Sequence, residues 1–379
     1  MAQPHLSRED VVRLLSDPSA SAKVETAAKL ARDFDQGSLS ESEKQLAEDI
    51  FRLMAQDAEI QVRQALAINL KESMALPHDV AVRLAEDVDT VALPVLQFSM
   101  VLSDDDLVRI VKSQGSSKQR AIAVRSSVSE PLSEALVEMG DADAVSRLVA
   151  NDGAQLSEPI LQKVIDHFGE TPDIQDPLIR RALLPVTVAE RLVTLVSDQM
   201  RQTLIDRHHL PQDIVSSLIK QSRERATITL AAGIDREDVE ALVRQLKEHG
   251  RLTPSLLLRA VCMGDMPFFE AAMAELGDVP LLNAQQLIHD PGRKGFLALY
   301  SKVSLPSAMA VAFLCAIDVA HETELDGGEM DRERYCRRMI ERILTKYEII
   351  GVTFDSSDLD YLLAKMDKLP ASLIQPPED

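Results

Sequence analysis

The chain has 379 residues, 45% of them hydrophobic and 27% charged, which makes it globular rather than disordered and long enough for two or three ordinary domains or one repeat array. Its net charge of −20 opposes non-specific nucleic-acid binding, which needs Lys and Arg against phosphates, and opposes adsorption to anionic lipid. Only 3% of residues are aromatic and none is Trp, so Ala, Leu and Val must fill the core, while 14 Gly and 18 Pro are too few for a loop-rich β fold.

In chain order, Ser7-Arg8-Glu9-Asp10 is close to a capping box and predicts a first helix through Leu15. Met1–Asp10 lacks a basic stretch followed by an apolar one, so no signal peptide is expected. Asp17-Pro18-Ser19 ends that helix and starts another, and Gly37-Ser38-Leu39-Ser40 leads to a third over Glu41–Met54. Asp57 to Ala67 follows, with an Asp ahead of the pair Val62-Arg63 and then small and large apolar residues. This segment resembles the centre of a HEAT repeat. The resemblance implies that Asp57 and Arg63 link neighbouring repeats.

A short phrase then recurs. An apolar residue is followed by Pro, Ser or Asp, then by a helical apolar pattern: Leu76-Pro77, Leu102-Ser103, Val128-Ser129, Leu156-Ser157, Leu184-Pro185, Leu210-Pro211 and Ile234-Asp235. The lead residues advance by 26, 26, 28, 28, 26 and 24 positions, a repeat period shorter than an ordinary HEAT unit and nearer the compact two-helix units of the leucine-rich-variant type. Pro is tolerated at the first helical position, Ser and Asp cap, and the lead apolar residue staples onto the first turn. Each phrase should therefore start the second helix of a unit. A polar link such as Glu86-Asp87-Val88-Asp89 or Ser222-Arg223-Glu224-Arg225 should separate it from a short first helix, such as Arg225–Ala232, of the next. Pro94 should kink or shorten its helix, and His167–Pro172 is a longer link.

Beyond Leu242 the period decays. Helices are expected from Gly250-Arg251-Leu252-Thr253-Pro254 to Cys262, over Met266–Leu276, over Leu281–Ile288, after the turn Asp290–Gly295, and after Leu305-Pro306. The apolar run Ser307–Ile317 is about 11 residues, against roughly 20 needed to cross a bilayer, and reads as a buried helix. A charged helix over Asp331–Ile350 and a last one over Leu359–Lys368 close the chain. The phrase ladder, with Gly292-Arg293-Lys294-Gly295-Phe296 through Leu305-Pro306-Ser307-Ala308, resembles a family of uncharacterised alphaproteobacterial proteins, a domain of unknown function built on helical repeats. That family supplies no catalytic residues to carry over.

Candidate chemistry is sparse. Cys262, Cys315 and Cys336 are far apart and odd in number, which opposes a disulfide framework or zinc finger, fits a reducing compartment and reads as buried thiols. His208-His209 near Asp206 lacks a full ligand set and reads as an inter-helix turn, and His321-Glu322 has no second histidine of a zincin motif. Asp104-Asp105-Asp106 reads as helix-start carboxylates and Glu324–Asp331 as a solvated loop. Gly292-Arg293-Lys294-Gly295 reads as a turn rather than a phosphate cradle. Arg334, Arg338, Arg342 and Lys346 recur every four residues and form one cationic helix stripe, either an anion or partner contact or a face paired with the chain's own carboxylates.

The expected architecture is all-α: an α-solenoid of short HEAT-like two-helix repeats with helical caps. Its organisation reads as an N-terminal cap and first unit over 1–75, a regular array over 76–250 and an atypical C-terminal region over 251–379. Solenoids present long surfaces that bind other chains. The expected function is a cytoplasmic protein-interaction scaffold or regulatory adaptor, with a protein partner and with no nucleic acid, membrane, metal or cofactor. The alternative is a small-molecule or nucleotide sensor, or an enzyme, using an anion site near the C-terminal basic helix. A DNA-glycosylase-like reading of the repeats would need a basic groove, which the charge opposes.

Overall fold

The computed structural model describes residues 19–35, 39–208, 211–322, 331–349 and 362. The first predicted helix and nearly all of the last therefore lie outside the described residues, as do His209 and the acidic run through Met330. Among the described residues there are twenty α-helices and one 3-10 turn, and the only strand-like pairing is an isolated bridge between Val128 and Ala154. The chain divides into two compact units between Leu184 and Pro185, inside the stretch that the period reads as one array.

Unit 1 is a two-row stack. Its helices are α1 (Ala20–Asp35), α2 (Glu41–Met54), α3 (Ile60–Leu70), α4 (His78–Ala85), α5 (Asp89–Phe98), α6 (Asp104–Ser113), α7 (Ser116–Ala123), α8 (Glu130–Met139), α9 (Ala142–Val149), α10 (Glu158–Phe168) and α11 (Pro172–Arg180). In one row α1 packs on α3, α3 on α5, α5 on α7, α7 on α9 and α9 on α11. In the other, α2 packs on α4, α6 on α8 and α8 on α10. This alternation is the solenoid-like arrangement expected of short helices that cannot each bury an apolar face alone. Val91, Leu96, Leu66 and Leu84 are fully buried between rows, each contributing about 1.5–3 kcal/mol. Pro94 sits inside α5 without ending it, at the cost of the hydrogen bond that an N–H there would make to the carbonyl four residues back.

The phrases lie at helix starts, with Leu210 itself outside the described residues. Ser103 forms a full capping box with Asp106, and Asp235 accepts from the Asp238 N–H. Ser129 and Ser157 hold the cap position with extended backbone, yet neither side chain makes a cap hydrogen bond. Pro131 and Pro159 occupy the first turn there and remove one of the N–H groups a cap would use.

Unit 2 departs from the two-helix reading. Pro185 and Pro211 start single long helices, α12 (Val186–His208) and α13 (Gln212–Ala231). The expected link Ser222–Arg225 is helical and Arg225–Ala232 is not a separate helix. No Gly or Pro interrupts Gln212–Ala231, and Arg and Glu are good helix formers, so nothing local stops the helix. Glu224 of the supposed link is instead buried. Then come α14 (Arg236–Glu248), α15 (Pro254–Cys262), α16 (Met266–Gly277), α17 (Leu281–Ile288), α18 (Lys294–Lys302), the 3-10 turn Ser307–Met309, α19 (Ala310–Glu322) and α20 (Asp331–Ile349). Every residue of α15 from Ser255 to Cys262 is buried, so this helix is the axis of the unit's core. Around it, Phe269 stacks on Phe313 at 5.5 Å between ring centroids and Tyr300 leans on Phe313 at 5.7 Å. With Phe268, Phe296, Tyr335 and Tyr347, seven of the chain's 9 Phe and 4 Tyr lie in this one core. No described helix is long and apolar enough to cross a membrane.

Candidate interaction surface

The polar contacts of unit 1 run from one repeat to the next. Asp57 accepts from Lys23 Nζ at 2.6 Å, which ties the α2–α3 link back to α1. Arg63 reaches forward with two parallel donors, Nε to Asp87 Oδ2 at 2.5 Å and NH2 to Asp87 Oδ1 at 2.9 Å, while its NH1 donates to the Asp57 carbonyl at 2.6 Å. Asp57 and Arg63 thus contact neighbouring helices through separate partners, Lys23 and Asp87, and not through one Asp–Arg carboxylate pair. Arg52 with Asp79, Arg120 with Asp143, and Lys163 with Glu134 and Glu138 repeat the pattern along the stack.

A second set of links was not visible as such in the sequence. Cationic and amide side chains of one repeat close the open carbonyls at helix ends of the previous repeat, the groups that a helix leaves without internal partners. Arg83 Nε donates to the Ala55 carbonyl at 3.3 Å, and Lys118 Nζ to the Ala85 carbonyl at 3.2 Å. Arg125 donates to the Leu96 carbonyl at 2.5 Å and the Ser99 carbonyl at 2.7 Å. Asn151 donates to the Ala123 and Arg125 carbonyls, and Arg181 to the Val149 carbonyl at 2.9 Å. Burial lowers the pKa of both Lys118 and Arg125, opposed by nearby carboxylates, Asp89, Asp87 and Glu86 for Lys118 and Asp104 for Arg125. The spacing of these residues, one repeat downstream of each helix end, is the only sequence signal that could have marked them.

Three carboxylates of this network are held below the ordinary Asp range. The hydrogen bond from Lys23 lowers Asp57. At Asp87 burial pushes upward but is outweighed by Arg63 and the Val88 N–H, and at Asp106 by Ser103 and His78. A depressed carboxylate contributes stability above its unfolded pKa of about 3.9 and loses it as pH falls through the folded value. Unit 1 is therefore expected to keep these contributions from about pH 5 upward and to lose them below about pH 4. Thermal melts by circular dichroism at pH 7, 4 and 3 check this, and D87N should flatten the pH dependence if the assignment is right.

Apolar side chains are exposed where the links leave the first row. Met74 is 75% exposed and Met100, one repeat later, is 57% exposed. Phe98 is also exposed, and Lys71 Nζ lies 3.9 Å from the centroid of its ring. Met74 and Met100 follow the ends of α3 and α5 at a spacing of 26 residues, and Phe98 is the last residue of α5. Exposed large apolar residues of this kind mark an association surface, and methionine adapts to the shape of what covers it.

A family model described as an uncharacterised protein conserved in bacteria (DUF2336) matches residues 91–352. The chain belongs to this family. No curated protein and no solved structure matches it. The DUF2336 segment takes in α5 to α11 and all of the described helices of unit 2, so it includes Phe98, Met100 and the C-terminal stripe but not Asp57 or Arg63.

Within the DUF2336 segment, Arg338, Arg342 and Lys346 are exposed on α20, next to a buried stripe of Tyr335, Met339, Ile343 and Tyr347. The Arg334 side chain lies outside the described residues. Arg342 NH2 donates to Glu322 at 2.5 Å, and nearby Arg293 donates to Asp318 at 2.6 Å, so this rim is partly neutralised by carboxylates of α19. Gly292–Gly295 forms a turn with Arg293 in the left-handed region, φ 58°. Its N–H groups at Gly292 and Gly295 already bind the Asp290 carboxylate, which lowers the Asp290 pKa and leaves no room for a phosphate.

His321 does acquire a second histidine, from α17. His289 Nε2 bonds Glu270 at 2.6 Å and its Nδ1 faces His321 Nε2 at 2.5 Å. Ring nitrogens this close exclude an ion between them, and among the described residues no group of three or more His, Cys, Asp or Glu is arranged to hold a metal. Cys262 and Cys315 are buried and Cys336 is half-buried. Burial, with Cys336 nearby, pushes the Cys262 thiol far above its ordinary value, which makes it a packing residue and not a nucleophile.

Proposed function

We propose that this DUF2336 protein is a cytoplasmic protein-interaction scaffold or regulatory adaptor whose repeats are HEAT-like in their inter-repeat links and leucine-rich-variant-like in length. The observation that carries the reading is the exposure of three large apolar residues, Met74 and Met100 at a spacing of 26 residues and Phe98 at the end of α5, in a chain of net charge −20. Solenoids use such repeated positions to bind extended partners. The partner is a protein that offers an apolar segment flanked by basic residues, which complements both these residues and the chain's net charge of −20. The alternative of a sensor built on the C-terminal stripe has less support, because Arg342 is already engaged by Glu322.

The test is affinity capture from a bacterial lysate with the wild-type chain and with M74D/M100D as baits. Both positions are exposed, so the substitutions should change stability by less than about 0.5 kcal/mol. A protein retained by the wild type and lost by the variant is the expected result. Equal retention by both baits, or no specific protein with either, overturns the assignment of these residues.

A further inference from the structure

Unit 2 contains a cleft whose charge opposes that of the chain. It lies between α12 and α13, is closed by the turn at Gly250 and the start of α15, and has a volume of about 350 Å³. Gly250 takes φ +64° and ends α14 in a Schellman turn, with the Arg251 N–H on the Leu246 carbonyl at 2.7 Å. That turn delivers the Arg251 side chain to the cleft beside Arg201 of α12 and Lys220 and Arg223 of α13. Against these four cations the lining has two carboxylates, Asp198 and Glu224. Behind the lining, Glu190 pairs with Arg251 and Arg259 faces Glu224 at 3.6 Å, so these two cancel and the cleft keeps a net positive charge of two in a chain of −20.

The carboxylates do not saturate the donors. Asp198 accepts from Arg223 NH2 at 2.8 Å, but its nearest approach to Arg201 Nε is 3.8 Å, beyond hydrogen-bond reach. Glu224 accepts from Thr253 at 2.9 Å and Ser255 at 2.5 Å and pairs with Lys220 Nζ at 4.0 Å. The Nε atoms of Arg201 and Arg223 are both buried and have no hydrogen-bond acceptor among the described residues. A buried guanidinium N–H without an acceptor is costly, and two from facing helices at one cleft call for an acceptor from outside the fold.

We infer that this cleft binds a phosphoryl anion, free or as a small monoester. A phosphoryl group brings a double negative charge, matching the surplus, and three acceptor oxygens that suit the planar arginine fork. The volume holds the phosphoryl group with a small organic remainder. The site is separate from the C-terminal stripe and from the exposed apolar residues of unit 1, so it stands or falls independently of the scaffold reading.

Isothermal titration of the full chain with inorganic phosphate, phosphoserine and AMP, at matched ionic strength, tests it. Binding of at least one probe is expected, weakened at least 10-fold by R201Q and further by R201Q/R223Q, and unchanged by R338Q on the stripe. Affinity should fall from pH 7.5 to pH 5.5, because the phosphoryl second ionisation lies near 6. Tighter binding of an organic probe assigns the monoester, and tighter binding of phosphate assigns the free anion. If R201Q/R223Q fails to fold by circular dichroism, R201Q alone decides, since Arg201 is partly solvated and makes no cleft hydrogen bond through Nε. No binding by any probe at millimolar concentration, loss with R338Q, or indifference to R201Q overturns the proposal.

Discussion

Replacing Arg125 with Ala is expected to destabilise unit 1 by about 3 kcal/mol, far more than replacing any exposed arginine of the same chain. Arg125 is only 7% exposed, and its two donors close the Leu96 and Ser99 carbonyls at the end of α5. Hydrogen bonds from a charged donor are worth about 1.5–3 kcal/mol each, and the acceptors left behind cannot turn to water, because Ser99 itself is fully buried. Removing the buried charge recovers some desolvation energy, which keeps the total near 3 rather than 6 kcal/mol. Urea unfolding of the full chain provides the measurement, with R338A as the control, expected within about 0.5 kcal/mol of wild type. An R125A midpoint equal to that of R338A would show that the inter-repeat helix-end contacts are dispensable.

In unit 2 the largest loss is expected from R251M, about 4 kcal/mol. Arg251 pairs with Glu190, which is 1% exposed, and also donates to Thr194. Burial is the main influence on Arg251 and lowers its pKa, with Glu190 holding it up. The Gln245 amide, 3.3 Å from Glu190 Oε2, cannot compensate a whole charge. R251M leaves that carboxylate buried without its counter-ion. The double variant R251M/E190M removes both charges and should recover most of the loss, since a buried pair replaced by apolar residues is often near neutral. A double-mutant cycle from thermal melts reads the coupling. Additive losses in the double variant would mean that the two residues do not act as a pair.

These expectations rest on features of unequal legibility. Helix starts were legible because capping is local: the Ser103 and Asp235 side chains accept from N–H groups three residues on, and Pro211 stands directly before the first turn of α13. The helix α15 was legible as a helix to Cys262, and its burial was not. Its axial position in the core depends on helices up to 80 residues away in sequence, which no local pattern encodes. The link at Ser222–Arg225 misled, because charged residues between two apolar stretches read equally as a solvated break or as one turn of a longer helix. Burial of Glu224 against Thr253 and Ser255, about thirty residues on, decided between them.

The candidate sites divide in the same way. The stripe of Arg338, Arg342 and Lys346 is visible in the sequence because helical period four puts the residues on one face. The cleft of Arg201, Lys220, Arg223 and Arg251 has no sequence signature, since its members come from three elements and meet only when α12 and α13 pair. By itself the sequence determined an all-α chain of short stacked units, because apolar period and cap chemistry are written within a turn or two of each residue. Only the tertiary structure decided which of many cations are buried, whether on a neighbour's helix end, on a buried carboxylate or around an open cleft. Burial is set by the packing of distant segments, and a charged side chain looks the same in sequence whether it faces water or the core.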